Sequence, residues 1–391
     1  MCQYLDQRAH GVFFLTCRHC SMVRHRFARR AIYRPPCVGN SLASLGQFSD
    51  IQIVQCRNQL GFKVLPSLAG LSALQELDFT GCSRLTELPS LCGLASLKKL
   101  TCSGCCDLTV LPALEGLTSL RELSIKGCSG LAELPVLAGI TSLDCSYCYS
   151  IQGFPQIGLL SSLRHLNCSR CSNITDLSIF SGLTALCHLD LTSCEITNLE
   201  PLSILTSLKF LLIARNHEII ISPLSRLASL QSLNCDSCSS VKDLGPLSFI
   251  SASLQSLSIR SCNFIWNSNF SKLQSLSSLT YLDCRKTSLT TLTPLSCLTL
   301  LRSLDCSQCF IKDLEPLSRL VKLQCLKCED CHMITSLVPL ASLPALHDLY
   351  LTFQNRVHDL SPLLNSSCII HVLKPIIVSG SAKSIALRIF F

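Results

Sequence analysis

LQELDFTGCSRLTELP, residues 74–89, recurs as LKKLTCSGCCDLTVLP from Leu97 and as LRELSIKGCSGLAELP from Leu120. Each copy has Leu at its first and fourth positions and Cys at its ninth. This ninth residue, the anchor, can be followed along the chain at intervals of 20 to 25 residues. So steady a period predicts small structural units that bury their apolar residues only by stacking on one another. The anchors are Cys82, Cys105, Cys128, Cys148, Cys171, Cys194, Asn216, Cys238, Cys262, Thr287, Cys309, Cys331 and Gln354.

The order of apolar and polar residues within one repeat predicts a short strand followed by a turn. We expect the two leucines and the residue three positions before the anchor to face inward, and the residues between them to face outward. The anchor lies where the chain leaves the strand, so its side chain has to satisfy backbone groups that the turn leaves unpaired. Because a thiol is only a weak donor, a column of cysteines should pack well and bond weakly. Proline in return segments such as Pro316–Ser318 suits the start of a short helical turn.

The repeat resembles that of leucine-rich-repeat proteins, in which L-x-x-L-x-L-x-x-N/C-x-L returns about every 20 to 29 residues. The later repeats, with ITDL, IKDLEPLSRL and HDLSPLL, are similar to those of internalins and of the regulatory subunit of protein phosphatase 1. The earlier repeats, with LTELPSLCGLASLKKL, resemble those of plant resistance receptors, although the chain has no nucleotide-binding G-x-x-x-x-G-K-[ST] loop. The resemblance implies an α/β solenoid. In that leucine-rich-repeat horseshoe, a parallel β-sheet forms the concave side, and short helical, 3-10 or loop segments form the convex side.

Composition divides the chain into three predicted parts. Residues 1–45 form a basic leader, expected to be poorly ordered, whose first forty residues hold seven Arg and a single acidic residue, Asp6. Those forty residues carry +6 of the net charge of +8, so the remainder is nearly balanced and lacks a basic stripe that would follow nucleic-acid phosphates. Residues 46–367 hold about 13 to 14 repeats, and residues 368–391 form a tail or cap without the repeat pattern.

The 28 cysteines are explained mainly by the repeat rather than by disulfides or metal sites. Eleven occupy the anchor column when Cys56 of a degenerate first repeat is included, and seven more occupy the inward slot three residues earlier. The resulting CxxC strings are by-products of two structural columns, so we predict no metal and no cofactor. A separate cluster lies in the leader, where a zinc knuckle is the alternative to an unstructured basic segment. That cluster comprises Cys17, His19, Cys20, His25 and Cys37.

The sequence contains no spacing that indicates catalysis. HExxH, G-x-S-x-G, GxGxxG, the phosphate-binding loop and the EF-hand loop are all missing from it. His217-Glu218 is followed by three isoleucines and so lacks the second histidine of a zinc site. We therefore predict a protein that is not an enzyme and has no catalytic residues.

Outward strand positions supply two candidate contact patches. Phe210 and Leu212 are apolar in columns that are otherwise short and polar, next to His165 and His188, and exposed apolar patches often mark contacts. The alternative is that this repeat, with Asn216 as its anchor, is shifted or covered by a loop. The second patch contains Tyr and Arg, residue types that are enriched at interface hot spots. Because Asp283 lies among them, the alternative is an ordinary solvated strand face. The residues of this patch are Arg260, Tyr281, Asp283, Arg285 and Lys286.

The predicted function is a scaffold that binds a partner protein on the concave face, acting as a monomer, with no nucleic acid and no transmembrane segment. The alternatives are a regulatory subunit of an enzyme such as a phosphatase, and a secreted or surface recognition protein. Without a secretory signal we predict the cytoplasm, with mitochondrial import through the basic leader and export as the alternatives. The four N-x-[ST] sequons, at Asn167, Asn173, Asn269 and Asn365, are then chance matches.

Overall fold

A computed structural model describes residues 12–15, 30–33, 49–65, 67–152, 154, 156–263, 265, 267–352, 356–357, 359–363, 368–373 and 387–390. The predicted cysteine and histidine cluster of the leader lies outside these residues, as do Phe264, Trp266 and the anchor Gln354. The chain divides into two compact units, Met1–Cys194 and Glu195–Phe391, which are called here the first and the second unit.

In the first unit, the described strands form a parallel sheet in which each strand pairs with the next one along the chain. Most strands have three residues, and their centres are leucines that pair in register, such as Leu77, Leu100 and Leu123. The strands are β1 (Val12–Leu15), β2 (Arg30–Tyr33), β3 (Ile53–Gln55), β4 (Glu76–Asp78), β5 (Lys99–Thr101), β6 (Glu122–Ser124), β7 (Ser142–Asp144), β8 (His165–Asn167) and β9 (His188–Asp190).

The second unit repeats this arrangement, again with every described strand parallel to its sequence neighbour. Its strands are β10 (Phe210–Leu212), β11 (Ser232–Asn234), β12 (Ser256–Ser258), β13 (Tyr281–Asp283), β14 (Ser303–Asp305), β15 (Cys325–Lys327), β16 (Asp348–Thr352), β17 (Ile369–Leu373) and β18 (Leu387–Phe390). The strands β1 and β2 belong to the predicted leader, and β17 and β18 to the segment after the repeats. The division of the chain into leader, repeats and tail stays a prediction.

Short 3-10 turns connect many of the strands. In the first unit they are Ile157–Leu159 and Leu177–Phe180; in the second unit they are Glu200–Ile204, Ser222–Arg226, Gly245–Ile250, Ser271–Ser275, Thr293–Leu295, Glu315–Leu317, Val338–Ser342 and Ser361–Leu363, together with the four-residue α-helix Asn267–Phe270. No helix among the described residues has the length and apolar character that a membrane span requires. Parallel strands with short turns on the return side confirm the predicted fold class.

The inward positions form the core, as the repeat predicts. Leu74, Leu77, Phe79 and Cys82 of one repeat are all fully buried, and the equivalent residues of the other described repeats are buried in the same way. Because each repeat is only one strand thick along the stack, its leucines are shielded by the leucines of the repeats on either side. Replacing one of them by alanine would cost about 2 to 5 kcal/mol of stability.

The residue before each anchor has a left-handed backbone conformation. Three early repeats place glycine there, with φ of +76° at Gly81, +74° at Gly104 and +72° at Gly127. Later repeats adopt the same conformation with other residues, which are Tyr147, Arg170, Ser193, Arg215, Ser237, Ser261, Lys286, Gln308 and Asp330. The turn after the strand therefore requires positive φ whatever side chain is present, and non-glycine residues bear its steric cost of about 1 to 2 kcal/mol.

The anchors form a ladder of thiol donors that reach back to the preceding repeat. Cys128 Sγ donates to the carbonyl of Cys102 at 3.0 Å, and Cys171 Sγ donates to the carbonyl of Cys145 at 3.1 Å. Asn216 both donates and accepts, since Nδ2 donates to the carbonyl of Ile213 at 2.8 Å and Oδ1 accepts from the Ile196 amide at 3.1 Å. The anchor thus satisfies backbone groups inside the turn, with a thiol providing the weaker version.

Candidate functional site

Two outward columns run along each sheet, formed by the first and the third residues of the strands. The third residue is often Asp or Asn, and its side-chain oxygen accepts a hydrogen bond from the amide two residues later. Asp78 Oδ1 accepts from the Thr80 amide at 2.9 Å, and Asp144 Oδ1 accepts from the Ser146 amide at 3.0 Å. The same bond is made by Asn167, Asp190, Asn234, Asp283 and Asp305. These side chains cap the strand and turn, so the polarity of this column is mainly structural.

Sequence reasoning missed this capping role, although its signal was visible. The third strand residue is followed by Ser or Thr two positions later in DFT (78–80), DCS (144–146), NCS (167–169), DLT (190–192) and DCS (305–307). Asn167, part of one predicted chance sequon, therefore has a structural reason to be Asn: its Oδ1 also accepts from Ser169 Oγ at 2.8 Å.

In the first unit, His165 and His188 lie on adjacent strands in the first-residue column. They are in register, and their ring centroids are 5.9 Å apart with the planes tilted by 36°. Burial lowers the pKa of His188, and the neighbouring His165 lowers it further. His188 is therefore mainly neutral at pH 7.

In the second unit, Phe210 and Tyr281 share the first-residue column. Register places Ser232 and Ser256 between them, so the two aromatic residues lie three strand spacings apart, about 14 Å. Phe210 is 40% exposed and Tyr281 is 38% exposed. The two aromatic side chains, called here the ridges, thus flank a strip formed by Ser232 and Ser256. Leu212 lies half-buried on the same strand as Phe210. Phe210 and Leu212 belong to the second unit, whereas the histidines grouped with them in the sequence analysis belong to the first.

Arg285 is held by carboxylates beside Tyr281. Its Nη2 donates to Asp283 Oδ2 at 2.6 Å, and its Nε lies 3.2 Å from Asp305 Oδ2 on the next strand. The hydrogen bond with Asp283 raises the pKa of Arg285, and burial raises the pKa of Asp305. Both aspartates are buried, so removing Arg285 would leave them without their counter-charge. Arg285 therefore stabilises the fold by neutralising two buried carboxylates.

Arg260 and Lys286 are, like Tyr281, exposed members of the second predicted patch. The Arg260 amide donates to Asp236 Oδ1 at 2.9 Å, and Lys286 lies at the left-handed turn position. The structure therefore places the hydrogen-bonded pair Asp283 and Arg285 on the same strand and turn as Tyr281. Arg260 and Lys286 lie at the turns around this group.

Three ladder thiols of the first unit, those of Cys82, Cys128 and Cys148, are unsuited to redox or nucleophilic chemistry, whereas a hydrogen bond with Cys284 lowers the pKa of the ladder thiol Cys309 to about 7. Burial raises the pKa of Cys82 to about 11 and the pKa of both Cys128 and Cys148 to about 12. Protonated thiols react slowly and bind metals poorly. In the part of the chain that the structure describes, no group of three or more His, Cys, Asp or Glu side chains is placed to hold a metal ion.

An aromatic cluster in the first unit also went unnoticed in the sequence. Tyr147 and Tyr149, on either side of the anchor Cys148, are 38% and 49% exposed, with ring centroids 6.4 Å apart in an edge-to-face arrangement. Its signal was the short segment SYCYS, residues 146–150, because other repeats have glycine or a polar residue at the position of Tyr147.

Comparison with known proteins supports the assignment of the fold. The family model for leucine-rich repeats in two copies matches residues 277–319. A leucine-rich-repeat protein of Leptospira interrogans is 23% identical, with a TM-score of 0.66, and the similarity covers 83% of this chain and 85% of that one. The internalin InlF of Listeria monocytogenes is also 23% identical, with a TM-score of 0.59, over 75% of this chain and 85% of that one.

The functional domain of InlJ from Listeria monocytogenes, described as including a cysteine ladder, is 20% identical with a TM-score of 0.52 over 85% of this chain and 62% of that one. No curated protein matches the sequence. These similarities concern the fold. Together with the thirteen-anchor repeat and the parallel sheets, they show that the chain has the leucine-rich-repeat fold.

Proposed function

We propose that the protein is a non-enzymatic scaffold that binds a partner protein across the outward face of the second unit's sheet. The observation that carries this proposal is the pair Phe210 and Tyr281, two exposed aromatic side chains in one column of otherwise small polar residues. Aromatic residues concentrate binding energy at protein interfaces, and truncating one at a hot spot costs about 2 kcal/mol or more.

The strip between the two rings suits a protein segment. Ser232 and Ser256 supply hydroxyl groups and little bulk, so a loop or an extended segment can lie between the ridges and place apolar side chains against both rings. Arg285 lies beside Tyr281 at the edge of this strip. Its contacts with Asp283 and Asp305 fix the orientation of its guanidinium group before a partner binds. A preorganised surface loses little conformational entropy when a partner binds.

The test is affinity purification of the full chain from the cells that make it, with bound proteins quantified by mass spectrometry. We expect a partner retained by the unaltered chain to be lost, by about a hundredfold in affinity, when Phe210→Ser and Tyr281→Ser are combined. The matched control is Phe249→Ser, because Phe249 is 77% exposed but lies in the 3-10 turn Gly245–Ile250 on the return side.

Equal recovery of the same partner by the double variant and by the Phe249 variant would remove the sheet face as the binding surface. A catalytic subunit among the partners lost on the double substitution would favour the enzyme-regulating alternative. Cellular location and oligomeric state stay predictions, and fractionation and light scattering of the full chain test them.

A further inference from the structure

Two positively charged side chains converge on one aromatic ring in the first unit. Lys126 Nζ lies 5.6 Å and Arg170 Cζ lies 5.1 Å from the centroid of the Tyr147 ring. Tyr149 packs edge-to-face against the same ring. These four residues, called here the Tyr147 cluster, come from three consecutive repeats whose anchors are 20 and 23 residues apart.

The turn geometry explains why these side chains meet. Tyr147 and Arg170 occupy the left-handed position before the anchor, with φ of +63° and +61°, and Lys126 immediately precedes the glycine at the equivalent position in its own repeat. Successive turns lie side by side because the Tyr147 amide donates to the Ser169 carbonyl at 2.8 Å and the Gly127 amide donates to the Ser146 carbonyl at 2.7 Å. The cluster is therefore built on fixed backbone rather than on a loose loop.

The cations of the cluster differ from two other basic side chains of the first unit, Arg57 and Lys99. Arg57 contacts Asp78 at 2.6 Å and Lys99 contacts Glu122 at 2.9 Å, so their charges are balanced. Neither Lys126 nor Arg170 has a salt bridge to any residue that the structure describes. Asp144, on the preceding strand, directs one carboxylate oxygen to the amide and hydroxyl of Ser146. The cluster thus presents two cations and two exposed rings with no paired carboxylate.

We propose that the Tyr147 cluster binds an acidic segment of a protein partner, with carboxylates of that segment on Lys126 and Arg170. Charge-assisted bonds to Lys and Arg are the strong polar contacts available to a carboxylate. Tyr149 provides an exposed ring for an apolar side chain next to those carboxylates. Nucleic acid is the less favoured ligand, because the chain beyond its first forty residues is nearly balanced in charge and the cluster holds only two cations. This surface is separate from the Phe210 and Tyr281 face and does not depend on it.

The test measures fluorescence anisotropy of labelled decapeptides with the full chain at low and moderate salt. The probes are a decapeptide rich in Asp and Glu with one Phe, its counterpart with Lys in place of every acid, and a single-stranded oligothymidine. We expect the acidic peptide to bind best, and binding to weaken as salt is raised. The pair Lys126→Glu and Arg170→Glu should weaken its binding by at least about tenfold.

Tyr147→Gly keeps the turn, because three other repeats have glycine at this position, and it should weaken binding by about fivefold through loss of the ring that orders both cations. The charge-matched control is Lys312→Glu with Lys322→Glu, two exposed lysines of the second unit, and it should change the affinity by less than about twofold. Phe210→Ser with Tyr281→Ser should also leave peptide binding unchanged. Equal loss in the cluster and control pairs, tighter binding of the oligonucleotide, or no binding of the acidic peptide would each overturn the proposal.

Discussion

The amino-terminal repeats, residues 74–140, and the carboxyl-side repeats, residues 196–342, return to the sheet in different ways. In residues 74–140, all of which the structure describes, the return leg begins extended, at residues 88–91 and 111–114, and only single turns follow, such as the one in which the Leu94 amide donates to the Leu91 carbonyl at 3.1 Å. Thr109 donates its amide to the carbonyl of Thr86 in the previous repeat at 3.1 Å, and Glu87 and Val110 form a parallel bridge. The carboxyl-side repeats instead form 3-10 turns, in which the Leu317 amide donates to the Leu314 carbonyl at 2.9 Å.

This difference shows that the backbone N–H and C=O groups of a return leg can be hydrogen-bonded in two ways. An extended leg bonds to the neighbouring repeat, and a 3-10 turn bonds within itself. The spacing between leucine and proline distinguishes the two classes. Leu88 directly precedes Pro89, and a residue before proline is restricted to extended conformations, whereas Glu315 separates Leu314 from Pro316 and the turn begins there.

The largest expected effect concerns the anchors. Asn216→Ala in a carboxyl-side repeat removes the amide's bonds to the Ile213 carbonyl and the Ile196 amide and leaves that buried Ile196 amide without its acceptor, so we expect a loss of about 3 kcal/mol in the free energy of unfolding. Cys105→Ala in an amino-terminal repeat removes one weak thiol bond of 3.3 Å and should cost about 1.5 kcal/mol. Urea titration of both variants measures the difference. Equal losses would mean that the amide has no advantage over the thiol.

The next effect appears at high pH. In the unfolded chain the Cys148 thiol ionises near its ordinary pKa of 9.0, whereas burial raises its pKa to about 12 in the folded chain. Between these values the unfolded state binds fewer protons than the folded state. The free energy of unfolding should therefore fall as pH rises, by about 1.4 kcal/mol per pH unit for each such thiol.

Urea titrations between pH 8.5 and 10.5 measure this slope. Cys148→Ala should make it shallower by the contribution of one thiol. Cys297→Ala, which replaces an exposed cysteine, is the matched control and should leave the slope as it is. A slope that Cys148→Ala does not change would show that this thiol ionises equally in both states.

A smaller effect on the free energy of unfolding should distinguish turns that have glycine before the anchor from turns that have another residue there. Gly104→Ala should lower the free energy of unfolding by about 1 kcal/mol, because φ is +74° while the added Cβ would meet only ordinary contacts of 3.7 Å. Ser237→Ala in a carboxyl-side repeat should change it by less than about 0.5 kcal/mol, since Ser237 already bears that cost at φ +58°. Thermal unfolding of the two variants side by side provides the measurement, and similar shifts would contradict the argument from φ.

The smallest effect concerns the start of a 3-10 turn. Asp313 Oδ1 accepts from the Glu315 amide at 2.8 Å, so Asp313→Ala should cost about 0.7 kcal/mol. Asp107→Ala is the matched control, an exposed aspartate before an extended leg, and should cost less than about 0.3 kcal/mol. Urea midpoints resolve the two values, and a larger loss at Asp107 would reverse the expected order.

Much of the fold followed from the repeat alone. An exception is Cys56, which was wrongly predicted as an anchor, because the register pairs Gln55 with Asp78 and so makes Cys56 equivalent to Phe79 in the inward column. The burial of Leu77, Leu100 and Leu123 as consecutive rungs, and the inward position of the other column cysteines, depend on alternation within one strand. Such alternation is local, so it can be read directly from the order of residues. The left-handed turn was visible in Gly81, Gly104 and Gly127 but hidden in the repeats that have Ser, Arg or Lys there.

The contact patches were predicted less completely. Phe210 and Tyr281 are exposed on the face where their columns predicted them. Arg285 was grouped correctly with Asp283, but its contact with Asp305 comes from a strand 22 residues later. The Tyr147 cluster was missed because Lys126 and Arg170 belong to the repeats on either side of the tyrosines.

The amino-acid order by itself determined the repeat length, the inward columns and the type of anchor, because a strand of three residues repeats its own pattern without reference to the rest of the chain. Tertiary structure alone decided which outward charges are balanced and which rings and cations meet. The reason is physical: most of those contacts join side chains of neighbouring repeats, such as Tyr147 with Lys126 and with Arg170. They depend on the register of neighbouring strands and on the rotamers that each turn permits.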